Sequence, residues 1–296
     1  MSNIDKGLAR ARAGAATLRS VDSAAVLDGL TGAGVAVDGF AAGTPAREAM
    51  PVDRPQAAPP PALDLQRLNS VKLDPTVLEW NRIVLDDSSG ASAAYKVLRT
   101  RVLQRMRRNG WKTLGVTGTC PDEGKSLTAV NLSLNLARQS GTSVVLVDMD
   151  LRKPSIHRHL GISPKYGIGD HLRAGVPLEQ VAVRPGLERL GVIVNERSFS
   201  NSSEILSSPQ VFELVEQVKQ GEGRIAVFDL PPIFAGDDVL AFAPVVDALL
   251  IVLAQGTTKR TDLAGIRELL QNVNVVGAVL NRSSAEVAPY YYGTRY

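Results

Sequence analysis

The chain has 296 residues, of which 44% are apolar, and a formal net charge of +3 at pH 7. This length allows one large domain or two small ones, and so small a net charge does not by itself indicate a nucleic-acid partner, which we do not expect. Cys120 is the single cysteine, which excludes an internal disulfide and fits a reducing cytoplasm.

The first 62 residues are rich in Ala, Gly and Pro and end in the stretch PQAAPPPA. Such a segment cannot bury enough apolar surface to offset its ordering entropy, so we expect residues 1–62 to be mostly disordered. The N-terminus lacks the apolar stretch of a secretion signal. The most apolar run, VLAFAPVVDALLIVLA, is interrupted by Pro244 and Asp247, so we do not expect it to span a membrane.

Residues 63–112 are predicted to be a linker and an N-terminal helical segment. The stretches LDLQRLNSV and TVLEWNRIVL are ambiguous short elements, whereas SAAYKVLRTRVLQRMRR has the periodicity of a helix. Apolar residues spaced by three and four place on one face Tyr95, Leu98, Val102 and Met106. The basic residues of this helix are most simply a solvated face.

From residue 113 to residue 282, short apolar runs alternate with helical stretches. The runs TLGVTG, VVLVDMD, LGVIV, IAVFDL, DALLIVLA and VVGAVLN lack polar alternation, which favours strands buried on both faces. Alternation of strands and helices predicts an α/β fold with a doubly wound, mostly parallel sheet. We expect residues 283–296 to form a flexible, tyrosine-rich tail.

The stretch VTGTCPDEGKS follows the first of these strands and opens a helix. It has the Gly-Lys-Ser ending of a Walker A loop, in which backbone N–H groups and a helix N-terminus hold phosphates. Thr119 replaces the first glycine of the strict pattern, so an ordinary turn with a surface lysine is the alternative. The predicted nucleotide-binding residues are Thr119, Cys120, Pro121, Asp122, Glu123, Gly124, Lys125, Ser126 and Leu127.

Carboxylates end two later apolar runs, and they favour the nucleotide site over the ordinary turn. Asp148 and Asp150 end VVLVDMD, and their spacing of two points both the same way from an extended chain. Asp229 closes the run in IAVFDLPP, as in a Walker B strand. Carboxylates at the carboxyl edge of a parallel sheet are where Mg²⁺ and a nucleotide need them. The site does not identify what receives the phosphate.

Together these motifs resemble the bacterial tyrosine kinases (BY-kinases) of capsule and exopolysaccharide synthesis, of the CpsD/CapB type. The resemblance covers roughly residues 90–296 and includes AYKVLRT, NSSEILSSP, GDDVLAFAPVVDALLIV and the tyrosine-rich C-terminus. It implies a P-loop NTPase fold of the deviant Walker, MinD-like type. It also implies ATP and Mg²⁺ as cofactors and autophosphorylation of tyrosine.

Carried onto this chain, the resemblance gives each motif residue a role. Lys125 and Ser126 would bind phosphate and Mg²⁺, and Asp150 and Asp229 would be metal-site residues. Asp148 would accept or orient the tyrosine proton, and Arg152 would offset phosphate charge. The implied phosphoacceptors are Tyr290, Tyr291, Tyr292 and Tyr296.

The resemblance also implies partners. The expected activator is a membrane polysaccharide co-polymerase on a separate chain, which would recruit a cytoplasmic kinase to the inner face of the membrane. Self-association is expected through the helix around Tyr95 and Arg99, and a tyrosine phosphatase is expected to reverse the modification. The exopolysaccharide or capsule polymer itself is not indicated.

Two departures from the family pattern keep alternatives open. Asp122 stands where the family often has glycine in the loop, and Ala93, Lys96 and Arg99 replace a Glu-x-x-Arg-x-x-Arg pattern. One alternative is a nucleotide-binding scaffold for the co-polymerase that lacks kinase activity. Another is a ParA/MinD-like ATPase, which ranks lower because the loop carries no early lysine. Asp237 and Asp238, which precede VLAFA, are expected to be helix caps.

Overall fold

A nine-stranded sheet organises the part of the chain that the computed structural model describes, residues 17–21, 61–84 and 90–283. Its strands are Thr17–Val21 (β1), Asn69–Ser70 (β2), Thr113–Gly118 (β3), Ser143–Asp148 (β4), Ala182–Arg184 (β5), Leu190–Ile193 (β6), Arg224–Asp229 (β7), Ala248–Ala254 (β8) and Val275–Ser283 (β9). Across the sheet they lie in the order β1-β9-β8-β3-β7-β4-β6-β5-β2.

The six central strands, from β9 to β6 in that order, are all parallel to their neighbours. Antiparallel pairing occurs toward the edges, where β1 pairs with β9 and β5 pairs with β6. Each apolar run predicted as a strand from residue 113 onward is a strand. The prediction of a doubly wound, mostly parallel α/β sheet is therefore confirmed.

Helices cover both faces of the sheet and fill two apolar cores, one on each side. The helices of the described residues are Pro75–Trp80 (α1), Gly90–Asn109 (α2), Lys125–Ala137 (α3), Ile156–Leu160 (α4), Ile168–Ala174 (α5), Leu178–Val181 (α6), Ser202–Leu206 (α7), Pro209–Lys219 (α8), Asp238–Phe242 (α9) and Arg260–Leu269 (α10). Short 3₁₀ turns occur at Leu65–Arg67, Ile233–Ala235 and Ala243–Val245.

The long helix α2 packs the predicted face against the core. Tyr95, Leu98, Val102 and Met106 are all buried, which confirms the spacing argument. Burial raises the pKa of Tyr95 to about 12, although the side chains of Asn131 and Thr128 partly oppose the shift. Tyr95 therefore belongs to the fold, and self-association through this helix would have to use its outer face, where Ala93 and Val97 are exposed.

The two ends of the chain fall mostly outside the described residues. Of the region predicted to be mostly disordered, residues 1–62, the structure describes only residues 61–62 and β1, a strand that composition did not indicate. The predicted tail lies outside the described residues from residue 284 onward. No helix in the described ranges has both the length and the apolar character needed to cross a bilayer.

Topology places one functional edge at the centre of the sheet. From β3 the chain passes through α3 to β4 on one side, and it later returns to place β8 on the other side of β3. In open parallel sheets, ligands bind beyond the carboxyl ends of the strands, at the point where the order of the strands changes direction. The loop after β3 and the ends of β4 and β7 therefore meet at one edge.

Candidate nucleotide and metal site

The loop between β3 and α3 has the backbone shape of a phosphate cradle. Gly124 is the N-cap of α3 with a left-handed φ of 88°, and a Cβ at this position would collide with the side chain of Asn281. Only glycine therefore fits without moving Asn281. Asp122 is also left-handed, with φ of 61°, which explains why a glycine would suit that position better.

The predicted loop residues divide by exposure. Thr119, Glu123 and Lys125 are buried, whereas Pro121 and Asp122 are exposed to solvent. The half-buried members are Cys120, Gly124, Ser126 and Leu127. The exposed carboxylate of Asp122 thus lies on the outside of the loop, where it adds negative charge near the expected phosphates.

The carboxylate of Glu123 holds the loop together from inside. Its Oε2 accepts hydrogen bonds from the backbone N–H groups of Thr119 at 2.6 Å and Cys120 at 2.9 Å. Its Oε1 accepts from the hydroxyl of Thr119 and from that of Thr258 at 2.5 Å. The carboxylate of Glu123 is fully buried, so the predicted contribution of this residue to the cofactor site would come from its backbone.

The end of β9 supports the loop from the other side. Asn281 Nδ2 donates to the carbonyl of Glu123 at 2.8 Å, and the guanidinium of Arg282 donates to the carbonyl of Asp122. Within the loop, Lys125 Nζ donates to the carbonyl of Cys120 at 3.1 Å. Thr258 and Asn281 were not predicted from the sequence, although both lie at or after the ends of apolar runs that meet at this edge.

Two predicted carboxylates face each other across neighbouring strands. Asp148 of β4 and Asp229 of β7 are paired residues in the parallel ladder, and both are fully buried. Asp148 Oδ2 accepts from the backbone N–H groups of Ser155 and Ile156, both at 3.0 Å, at the start of α4. Asp148 Oδ1 and both oxygens of Asp229 have no hydrogen-bond partner among the described residues.

Burial changes the protonation of this cluster. It raises the pKa of Asp229 to about 7, with the charge of Asp150 adding to the shift and Ser126 and Lys125 opposing it. Burial also raises the pKa of Asp148 well above its ordinary value, and the charge of Asp229 adds to that effect. The pKa of Asp150 is raised by burial and held down partly by the N–H of Lys153 and by Lys125.

The carboxylates and the serine hydroxyl at this edge suit a Mg²⁺ ion shared with a nucleotide better than a metal ion bound only by protein side chains. In the described ranges, no cluster of three His, Cys, Asp or Glu side chains could hold a metal. Mg²⁺ bound with a nucleotide uses one or two carboxylates, water and phosphate oxygens. The unpartnered oxygens of Asp229, with Ser126 beside them, are buried acceptors that a cation would satisfy. The residues at this edge of the sheet therefore fit Mg²⁺ bound together with a nucleotide.

The described side-chain hydrogen bonds of Arg152 go to Asp238 and Ser202, and its role in offsetting phosphate charge stays a prediction. Its Nε and Nη2 donate to the two carboxylate oxygens of Asp238 at 2.6 and 3.1 Å, and none of its described hydrogen bonds goes to the loop after β3. The expectation that Asp238 is a helix cap is wrong, because its side chain is buried against Arg152 and Ser202. Asp237 occupies the N-cap position of α9, as expected, but its side chain makes no capping hydrogen bond.

Comparison with known proteins places the chain among kinases. No protein-family model matches it. It is 31% identical over 208 residues to the tyrosine-protein kinase YwqD of Bacillus subtilis, covering 69% of this chain and 87% of that protein. It is 32% identical to the putative tyrosine-protein kinase EpsB of Ralstonia nicotianae over 73% of this chain, but it spans only 28% of that longer protein.

A solved structure agrees with this result. The kinase domain of the Escherichia coli tyrosine kinase ETK superposes with a TM-score of 0.63 at 27% identity. The match covers 69% of this chain and 82% of the solved chain. The similarity in fold and the similarity in sequence therefore lead to the same group of proteins.

We expect that replacing Asp122 with glycine tightens ATP binding. Asp122→Gly removes both the left-handed strain and a negative charge, whereas Asp122→Asn removes only the charge. Calorimetry at low and high salt should show tighter binding for both variants at low salt, with the effect of charge fading at high salt. Wild-type affinity for both variants at low salt would show that this carboxylate does not oppose the nucleotide.

A second prediction concerns pH and Asp229. Since its pKa is about 7 when folded, the folded protein holds a proton that the unfolded chain has already lost. Without metal, the free energy of unfolding should therefore fall as pH rises toward 7, by at most about 1.4 kcal/mol per pH unit for this group. Asp229→Asn should reduce this slope and make the metal-free protein more stable at pH 8.

Denaturant unfolding in EDTA between pH 5 and pH 8 measures this difference. With Mg²⁺ and ATP the order should reverse, because Asp229→Asn removes the proposed metal ligand. Equal slopes for the wild type and the variant in EDTA would contradict the raised pKa.

Proposed function

Because the chain belongs to the bacterial tyrosine-protein kinase family, we propose that it is an ATP-dependent tyrosine autokinase that phosphorylates its own C-terminal tyrosines. The observation that carries the proposal is the group of buried carboxylates beside a Walker-type loop, with both oxygens of Asp229 lacking a partner among the described residues. Such a site suits a cation and a nucleotide. The family then indicates tyrosine as the acceptor.

The phosphates of ATP would lie against the loop and the N-terminus of α3. This helix has 13 residues, and its free N–H groups and dipole favour an anion there. Lys125 would leave the carbonyl of Cys120 and turn its ammonium toward the β- and γ-phosphates. Ser126 and Asp229 would hold Mg²⁺, with Asp150 directly or through water, and the bound cation would offset phosphate charge.

In the transfer step, the tyrosine oxygen forms a bond to the γ-phosphorus while the bond from that phosphorus to the bridging oxygen of ADP breaks. The phenolic proton must leave the tyrosine, and we assign it to the unpartnered Oδ1 of Asp148. The burial that raises the pKa of Asp148 makes this carboxylate a stronger base once it is ionised. Its other oxygen stays fixed at the start of α4.

The tail can supply the acceptor. β9 ends at Ser283, and Asn281 of this strand contacts the phosphate loop, so the chain leaves the sheet beside the site. Residues 284–296 could span roughly 45 Å if fully extended, which is enough to enter a neighbouring molecule's site. We propose Tyr290, Tyr291, Tyr292 and Tyr296 as acceptors. Tyr95 is unsuited because it is buried in the core.

Regulation by partners is part of the proposal. The motifs shared with capsule and exopolysaccharide kinases favour a membrane co-polymerase as activator, recruitment of this chain to the membrane, and reversal by a phosphatase. Self-association would use the exposed side of α2. A phosphorylated tail gains about 1.5 to 2 negative charges per tyrosine at pH 7, which would repel the carboxylate-rich site and loosen an assembly.

The test is loss of phosphotyrosine in Lys125→Met. Removing a cation that meets developing phosphate charge should lower the rate roughly a hundredfold or more. Lys219→Met is the control, because Lys219 lies at the end of α8 and pairs with Glu216. Mass spectrometry of the C-terminal peptide, after co-expression with the cognate membrane protein, measures the product.

Three outcomes separate the functions. Phosphate on the tail of the wild type but not of Lys125→Met supports the kinase. ATP binding without phosphate on any tyrosine would favour the scaffold. Unchanged phosphotyrosine in Lys125→Met would contradict the assignment of the loop.

A further inference from the structure

Three segments far apart in sequence meet at the buried carboxylate of Asp238. The side chain of Asp238 is 3% exposed and receives Arg152 Nε at 2.6 Å and Nη2 at 3.1 Å. The hydroxyl of Ser202 lies 2.9 Å from each carboxylate oxygen and accepts from Arg152 Nε at 2.8 Å. These residues come from the turn after β4, from α7 and from α9.

The neighbouring acid has a different environment. The side chain of Asp237 is 71% exposed, and its nearest approach to Arg152 is 3.8 Å. A two-point pair between guanidinium and carboxylate fixes direction as well as distance, whereas a distant exposed pair fixes little. Asp238 is therefore the acid whose replacement should matter, and Asp237, at the adjacent position, is the matched control.

Arg152 and Asp150 lie on the same turn after β4. Residues 198 and 199 hold the backbone of this turn. The hydroxyl of Ser198 donates to the carbonyl of Arg152 at 2.7 Å, and the N–H of Phe199 donates to the carbonyl of Leu151 at 2.8 Å. Asp150 Oδ1 accepts from the N–H of Lys153 at 2.9 Å. The position of the Asp150 carboxylate therefore depends on how the three residues that follow it are held.

We infer that Asp238, with Ser202, is a positioning residue for the metal site. By holding Arg152 it fixes the turn so that Asp150 meets the cation beside Asp229. The inference rests on the proposed function only in that the site binds Mg²⁺ with ATP. Residues that orient metal ligands in this way affect metal affinity without touching the metal.

The sign of the effect separates positioning from simple electrostatics. The negative charge of Asp238 is one of the influences that raise the pKa of Asp150. Removing that charge would favour ionised Asp150, and releasing Arg152 would add positive charge near the phosphates. Both electrostatic effects predict equal or tighter Mg²⁺–ATP binding, whereas loss of positioning predicts weaker binding.

The experiment compares Asp238→Asn with Asp237→Asn in the full chain. Calorimetry measures ATP affinity in EDTA and then as a function of Mg²⁺ concentration. We expect Asp238→Asn to raise the Mg²⁺ concentration for half-maximal ATP binding roughly 10- to 100-fold, with affinity in EDTA unchanged. Asp237→Asn should match the wild type. An unchanged or lowered Mg²⁺ requirement in Asp238→Asn would overturn the inference.

Two further variants distinguish positioning from misfolding and from direct binding of phosphate by Arg152. Ser202→Ala removes one hydroxyl from the same carboxylate, so it should shift the Mg²⁺ requirement in the same direction even if Asp238→Asn fails to fold. Arg152→Lys keeps the charge but loses the two-point geometry, so it should also shift the Mg²⁺ requirement while leaving affinity in EDTA unchanged. If Arg152→Lys instead weakens ATP binding in EDTA, Arg152 binds phosphate and the inference is wrong.

These readouts are independent of the proposed kinase activity. If the wild type never forms phosphotyrosine but Asp238→Asn still raises the Mg²⁺ requirement, the proposed function fails and the positioning role stands. If phosphotyrosine forms and the Mg²⁺ requirement does not change, the reverse holds.

Discussion

The facing carboxylates of Asp148 and Asp229 set the constraint on which the site depends. Two fully buried acids in neighbouring strands repel each other and lack the water that would solvate their charge. Without a cation they favour protonation: burial, with the charge of Asp150 adding to it, raises the pKa of Asp229 to about 7, and burial, with the charge of Asp229 adding to it, raises the pKa of Asp148. A bound Mg²⁺ would relieve this cost, so under the proposed function these buried acids favour the metal at the edge where the phosphates would lie.

The loop beside them depends on contacts from outside its own sequence. Thr119 stands where the strict Walker pattern has glycine, and Asp122 has a left-handed backbone that favours glycine, so the loop lacks the backbone freedom of the strict pattern. Glu123 offsets this by tying the loop internally and by accepting a hydrogen bond from Thr258 after β8, while Asn281 holds it from β9. The ends of the two strands beyond β3 thus stabilise the phosphate cradle.

The sequence predicts features that depend on neighbouring residues and misses contacts between residues far apart in the chain. Buried strands and long helices were predictable because apolar runs and three- and four-residue spacings are local signals, and Asp229 could be placed because it ends such a run. The pairing of Arg152 with Asp238 joins residues 86 positions apart, and that of Glu123 with Thr258 joins residues 135 apart. No local pattern encodes those contacts, so Asp238 was mistaken for a helix cap. Helices as short as α4 and α9 have too few turns for periodicity.

Proton release on binding is the most direct measure of the relation between the buried acids and the metal. Calorimetry of Mg²⁺–nucleotide binding near pH 6.5, in buffers of different ionisation enthalpy, counts the protons exchanged. We expect the wild type to release up to about one proton per site, because the carboxyl of Asp229 must ionise to bind the cation, and we expect Asp229→Asn to lose that release. No proton release from the wild type, or equal release from both proteins, would contradict the proposal that Asp229 is a buried acid held ready for Mg²⁺.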